Sequence, residues 1–183
     1  MTTPIDSALV QRLPCFRDLT AEEAVVVARQ LERVELPDGT LLFSEGDAPD
    51  DGFYFVISGQ VEIQRDVPGE AKHILATLGP GTVFGEIGPL LQEPRSASAV
   101  ARGGTELGRF SAAALENAAH RGETWAGKFL LTIAKVMARR LVGLDREVAA
   151  LIAGMRKSEG KSAPTRVAEL DQLRKRLFTE WSF

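Results

Sequence analysis

The chain has 183 residues, 44% hydrophobic and 26% charged, with 22 Lys and Arg against 25 Asp and Glu and a formal net charge of −3. That length holds one ordinary domain and a small addition, and the 17 Gly and 9 Pro fit a turn-rich globular chain rather than a fibrous or disordered one. One cysteine, Cys15, excludes an internal disulfide and leaves thiolate zinc or iron–sulfur centres without ligands, and the near-balanced charge argues against a nucleic-acid binder that uses its whole surface.

The opening segment has neither the basic start nor the apolar core of a signal peptide. No run reaches about 18 uninterrupted apolar residues, so a soluble cytoplasmic protein without a membrane span is expected. Residues 1–32 read as helical. Thr20-Ala-Glu-Glu23 has the spacing of a capping box, and Val26, Val27 and Leu31 follow at helical intervals. Pro14 interrupts the earlier part, because it lacks an amide donor and restricts Leu13.

Residues 33–110 change character. Apolar runs such as Gly52–Ile57, Val61–Ile63 and His73–Ala76 alternate with turn signals at Pro37-Asp-Gly39, Glu45-Gly-Asp47, Ser58-Gly59, Pro68-Gly69, Leu78-Gly-Pro-Gly81 and Gly103-Gly104. Short strands separated by turns every 8–12 residues predict an antiparallel jelly-roll barrel.

Helix returns near Ser111, first in an alanine-rich segment, 112–119, and then in a proline-free stretch from Thr124 to about Lys157. Within it Leu130, Ala134, Met137, Leu141, Leu144, Val148, Leu151 and Met155 alternate in steps of four and three. This is a coiled-coil seam, which predicts a parallel homodimer through residues 130–155; packing of the seam on the barrel is the plainer alternative. Ser158–Pro164 is linker-like, and Thr165 starts a candidate amphipathic tail helix carrying Val167, Leu170, Leu173, Leu177 and Trp181.

The stretch that carries chemistry is Phe84-Gly-Glu-Ile-Gly-Pro-Leu-Leu-Gln-Glu-Pro-Arg-Ser-Ala97. A glycine turn feeds a short helix beginning near Glu86, whose first amides lack intrahelical partners. Arg95 offers a fork of donors matched to phosphate oxygens, and Ser96 adds a hydroxyl and an amide. Glu86, an acceptor when ionised, suits a pair of hydroxyls such as those of a ribose. The combination fits a small anionic sugar phosphate. The plain alternative is an ion pair between Glu86 and Arg95 that ties a loop to the barrel.

Over residues 12–145 the sequence resembles the cyclic nucleotide-binding domain family, shared by catabolite-activator-like regulators, protein kinase A regulatory subunits and cyclic-nucleotide-gated channels. The resemblance lies in Leu13-Pro-Cys-Phe-Arg-Asp-Leu19, Pro37-Asp-Gly-Thr40, Glu45-Gly-Asp47, Phe53–Gly59, and a cassette over 84–97 with Phe84-Gly-Glu-Ile-Gly88 and Pro94-Arg-Ser-Ala97. It implies an α+β fold, mainly β, with a jelly-roll barrel flanked by N-terminal helices and a long C-terminal dimerisation helix. The expected units are a binding domain over 1–123, the dimer helix over 124–157, and a linker and tail over 158–183.

The resemblance also implies roles. Glu86 would hold the ribose 2′-hydroxyl beside the amide of Gly85, and Arg95 the cyclic phosphate. Ser96 would donate to that phosphate, and Ile87 and Gly88 would present amides. Val83, Phe84 and Ile74 would line the cleft. Met137-Ala-Arg-Arg-Leu141 resembles the start of the dimer helix in the catabolite-activator branch. There the family places base-contacting polar residues at positions that are Leu144 and Asp145 in this chain. Leu144 is read as part of the seam and Asp145 as a candidate acceptor. Arg140 is read as solvated, with a base or phosphate contact as the alternative.

Members of that branch follow the helix with a winged helix-turn-helix, and the 28 residues from Arg156 onward are too few for one, so no DNA binding is expected. The run Arg174-Lys-Arg176 reads as a solvated face. His73 and His120 have no cysteine partner and no ligand spacing, so neither a metal nor a catalytic centre is expected. The implied function is that of a non-enzymatic receptor for cAMP, or secondarily cGMP, without a cofactor, that signals to an unidentified effector protein. The alternative is a ligand-independent or cyclic-dinucleotide-responsive scaffold with a structural cassette.

Overall fold

The computed structural model describes residues 4–66 and 72–157. The linker and tail expected over 158–183, and the turn at Pro68-Gly69, lie outside them.

Helix α1 (Ser7–Arg12) starts where the Asp6 carboxylate accepts from the Ala8 amide at 3.2 Å. A single 3-10 turn, Pro14–Phe16, replaces its continuation, as the proline requires. Helix α2 (Ala21–Gln30) opens with the expected capping box. Thr20 Oγ1 accepts from the Glu23 amide at 3.3 Å, and the Glu23 carboxylate accepts from the Thr20 amide at 2.8 Å.

Six strands follow among the described residues: β1 (Glu32–Leu36), β2 (Leu41–Phe43), β3 (Gly52–Arg65), β4 (His73–Leu78), β5 (Val83–Phe84) and β6 (Ser98–Ser111). All the pairings are antiparallel. The order is β1-β6-β3-β4, with β2 also on β6 and β5 also on β3. The antiparallel β-rich fold is as expected, but among the described residues the sheet does not close into a barrel. Short helix α3 (Ile87–Leu91) lies between β5 and β6, and α4 (Ala112–His120) and α5 (Thr124–Lys157) follow β6.

Two turn signals are not chain reversals. Ser58-Gly59 lies inside β3 and Gly103-Gly104 inside β6, and the two strands of 14 residues each pair from Gly52 opposite Ser111 to Gln64 opposite Ser98. Gly59, at φ +78°, instead marks a register shift between Ser58 and Gln60. A glycine with left-handed φ can be absorbed as a bulge that bends a strand without ending it.

Strand periodicity divides the interior. Phe53 and Phe55 face a core shared with α1, α2, α4 and the start of α5, whereas Tyr54 and Val56 face a second core with Val61, Leu78, Phe84 and Leu107. The Phe53–Val56 run is apolar throughout because both of its faces are covered. Rings of Phe16, Phe55 and Phe129 lock the first core, with Phe16 centred 5.2 Å from Phe55 and 4.7 Å from Phe129.

The first part of α5 buries Trp125, Phe129 and Ile133 in the helix-side core, and Val136, one turn on, is also buried. Leu130, expected on the seam, is half-buried against that core. Met137, Leu141 and Val148 of the seam are exposed. The side chains of Leu144, Leu151 and Met155 lie outside the description. Among the described residues no helix is long and apolar enough to cross a membrane.

Candidate ligand-binding site

The cassette is built by tight backbone turns. Gly85, at φ +72°, turns the chain out of β5, and Glu86 is the N-cap residue of α3. Gln92, at φ 56°, ends that helix in the left-handed region, and the Glu93 amide returns to the Gly88 carbonyl at 3.1 Å. Residues 46 and 47 then clamp the segment: the Arg95 amide donates to the Asp47 carbonyl at 2.9 Å, and the Gly46 amide to the Arg95 carbonyl at 2.8 Å.

These turns place the Arg95 guanidinium inside the protein, with the residue 4% exposed. Nη1 donates to the Gly85 carbonyl at 2.6 Å, and Nη2 to the Gly52 carbonyl at 2.7 Å and to the Asp50 carboxylate. The guanidinium carbon sits 4.3 Å from the centre of the Phe43 ring, a cation–π arrangement. A Cβ at position 85 would lie 3.1 Å from Arg95 Nη1, so the glycine serves the cation's seat as well as the turn.

Glu86 is equally enclosed, at 3% exposed. Its partner is Arg140 of α5, which also donates to the Val83 carbonyl at 3.0 Å. The expectation of a solvated Arg140 is therefore corrected: its side chain is only 16% exposed and lies against a buried carboxylate. The direct Glu86–Arg95 pair is also absent, since the two groups have different partners, Arg140 and Asp50.

Both groups open on one cavity of about 260 Å³. Of the expected residues, Phe84, Gly85, Glu86, Ile87 and Gly88 line it from β5 and α3, and Arg95 and Ser96 from the segment before β6. Three expected residues stand outside the lining. Val83 turns its side chain into the helix-side core, as alternation along β5 requires once Phe84 faces the cavity; only its carbonyl serves the site. Ile74 is 44% exposed. Its strand contributes Leu75 instead, because the register passes from Ala76 opposite Ile63 to Ile74 opposite Gln64 and leaves Leu75 as the bulged residue. Asp145 is exposed, and five residues beyond Arg140 it points about 140° away around the helix.

The apolar wall of Phe43, Ile63, Leu75, Ala76 and Leu78 was not marked by any sequence motif; it arises where β2, β3 and β4 converge. Arg65 also lines the cavity from the end of β3. Its Nε donates to Glu45 Oε1 at 3.0 Å, and Glu45 Oε2 accepts from the Asp66 amide at 3.0 Å. The Asp66 amide first, and Arg65 second, hold the Glu45 carboxyl below its ordinary range. Among the described residues, no group of three or more His, Cys, Asp or Glu is placed to hold a metal ion.

Comparison with known proteins agrees with this geometry. Residues 33–121 match the family model of the cyclic nucleotide-binding domain. Over 147 residues the chain is 30% identical to a CRP-like cAMP-activated global transcriptional regulator of Mycobacterium tuberculosis, covering 79% of this chain and 62% of that one. Among solved structures it is similar to the Thermus thermophilus catabolite activator protein, with TM-score 0.67 and 34% identity over 75% of this chain and 62% of that one. A cyclic nucleotide-binding domain from Methylobacillus flagellatus gives TM-score 0.64 and 26% identity over 73% of this chain and 75% of that one. The chain thus spans 62% of the length of each of the two regulators. The matched segment contains both the cassette and the strands that wall the cavity, so residues 33–121 are a domain of the cyclic nucleotide-binding family.

Proposed function

We propose that the chain is a cytoplasmic receptor module for a cyclic nucleotide, cAMP ahead of cGMP, that performs no chemistry and signals by changing shape for a protein partner. One observation carries the reading: a buried guanidinium and a buried carboxylate, Arg95 and Glu86, open on the same cavity beside an apolar wall. The cation suits a cyclic phosphate, with Ser96 and the amides of α3 beside it; the carboxylate suits a ribose hydroxyl, and the wall suits a base. Each charge-assisted bond contributes about 1.5–3 kcal/mol, and micromolar affinity needs about 8 kcal/mol, so two or three such bonds with burial of the base suffice. The Mycobacterium relative is a cAMP-activated regulator, which favours cAMP.

Transmission would use α5. A hydroxyl arriving at Glu86 meets the carboxylate that Arg140 holds, so occupancy and helix position are coupled through one group. The ligand shifts the population only as far as it binds the two arrangements with different affinity. The exposed Met137, Leu141 and Val148 fit a second copy of the chain, which makes a homodimer the proposed working unit.

A second reading, a ligand-independent scaffold, is favoured by one feature: Arg95 and Glu86 already have protein partners. Calorimetry with cAMP, cGMP and a cyclic dinucleotide separates the two. Binding of cAMP in the micromolar range is expected; no heat and no melting shift with any of them at about 100 µM, weaker than roughly 5 kcal/mol of affinity, favours the scaffold.

A further inference from the structure

We propose that Arg65 is a second ligand cation, aimed by Glu45 at the phosphate end of the cavity; this rests on the receptor reading above. Arg65 ends β3, and its neighbour Gln64 pairs with Ser98, which places Arg65 beside the Ser96–Ala97 arm that follows Arg95. Arg65, Ser96, Ala97 and Arg95 all line the same cavity.

The aiming group is fixed from both ends. The Glu45 amide donates to Ser98 Oγ at 2.9 Å, and Ser98 is 3% exposed. The next amide in the loop, that of Gly46, is bonded to the Arg95 carbonyl at 2.8 Å. The loop that holds Arg65 is therefore the loop that clamps the Arg95 backbone. Glu45 takes Arg65 through Nε at 3.0 Å and the Asp66 amide through its other oxygen. Among the described residues, the bonds of Arg65 use Nε alone, so both terminal amino groups of the fork stay available for a ligand.

Its position differs from that of Arg95 in a way that divides the work. Arg95 is buried and bound to two carbonyls and a carboxylate, so it is part of the fold. The Arg65 side chain is 58% exposed, so it can meet the ligand at the mouth and is dispensable to folding. A half-exposed cation attracts an anion most strongly at low salt. The ligand class that uses it carries charge next to the sugar, and the base identity is irrelevant to it.

The experiment is calorimetry on the wild type, Arg65→Ala and Arg65→Lys with cAMP and with cGMP, each at about 50 and about 200 mM salt. Arg65→Ala is expected to weaken both nucleotides by the same factor, about 5- to 20-fold at low salt, and to flatten the salt dependence. Arg65→Lys is expected to recover part of the loss, since it keeps the charge and loses the fork. The melting temperature of Arg65→Ala without ligand should match the wild type, which separates lost contact from lost fold. Unchanged affinity for both nucleotides overturns the proposal, as does a loss confined to one base, which would move Arg65 to the base end. A wild type that binds neither nucleotide overturns the receptor reading itself.

Discussion

Arg140 and Glu86 are 54 positions apart in the chain, and they meet in the lining of the cavity, where a helix outside the sheet neutralises the N-cap carboxylate of the cassette. The pair is enclosed: the side chains are 16% and 4% exposed. Removing one partner of a buried pair leaves an uncompensated charge, which costs more than the pair itself contributes. Arg140→Ala is therefore expected to destabilise the protein by about 2–4 kcal/mol in urea unfolding. Adding Glu86→Gln should return more than about 1 kcal/mol of that loss, because the stranded charge is then gone. Additive losses in the two variants would mean that water already compensates Glu86.

Gly39 and Gly59 share nearly the same backbone angle, φ +75° and +78°, in different surroundings. A Cβ at Gly39 meets nothing within 4 Å, whereas at Gly59 it would lie 2.6 Å from the Gly104 carbonyl oxygen and 2.7 Å from the Thr105 Cα. Gly39→Ala should then cost only the left-handed strain, about 1–2 kcal/mol. Gly59→Ala should add the cost of pushing β3 and β6 apart at the bulge, for a total of about 3 kcal/mol or more. Equal losses in denaturant unfolding would show that the ladder yields freely at that point.

The contrast between those glycines also explains where sequence reasoning stopped. Ser58-Gly59 carries the composition of a turn, and composition does not distinguish a reversal from a bulge; the pairing of β3 with β6 decides it, and that pairing is non-local. The cassette was legible because Gly85, Glu86, Gly88 and Arg95 lie within eleven consecutive positions, so one segment carries the turn, the carboxylate and the cation. Arg140 was misread for the opposite reason: nothing near it in the chain marks its partner. Asp50, Phe43 and the bulged Leu75 escaped notice likewise, since each reaches the site from a different strand or loop. Along α5 a 3-4 spacing announces an apolar stripe without saying what covers it. Trp125, Phe129 and Ile133 are covered by the protein's own core, and Met137, Leu141 and Val148 are exposed.

Glu23 joins two elements through one carboxylate oxygen, which accepts from the Thr20 amide at 2.8 Å within the α2 cap and from Lys128 Nζ of α5 at 2.6 Å. Lys128 is the largest cause of a carboxyl held below its ordinary value of 4.5. A carboxyl depressed by folding stabilises the folded state fully above its unfolded value, and the benefit fades as pH falls through the folded value. The wild type should therefore lose melting temperature below about pH 4.5 more steeply than Glu23→Gln, which cannot titrate. At neutral pH the variant should melt lower, having lost the ion pair with Lys128. Parallel curves on the acid side would assign the acid sensitivity to other carboxyls held low by bonded partners, Glu22, Glu45, Glu62 and Glu123.

The exposed face of α5 makes the proposed dimer testable at particular positions. Met137 is 40% exposed, Leu141 59%, Val142 48% and Val148 44%, all beyond Val136, the last described buried residue of the helix. Burying a large aliphatic side chain contributes about 1.5–3 kcal/mol, so a few of these residues from each of two copies supply enough apolar contact for association. Steps of four from Met137 to Leu141 and seven from Leu141 to Val148 are heptad spacings, so a matching helix can lie along them without rotating away. Leu141→Asp places a charge in the middle of that stripe and should convert a dimer to a monomer in light scattering, with Met137→Asp acting in the same direction. Neither side chain belongs to the buried core, so both variants should keep the monomer fold. Retained dimer mass in Leu141→Asp would remove this stripe as the interface. If the dimer dissociates and the affinity for nucleotide changes with it, then α5 carries the signal, because Arg140, which holds Glu86, lies one residue before Leu141 on the same helix.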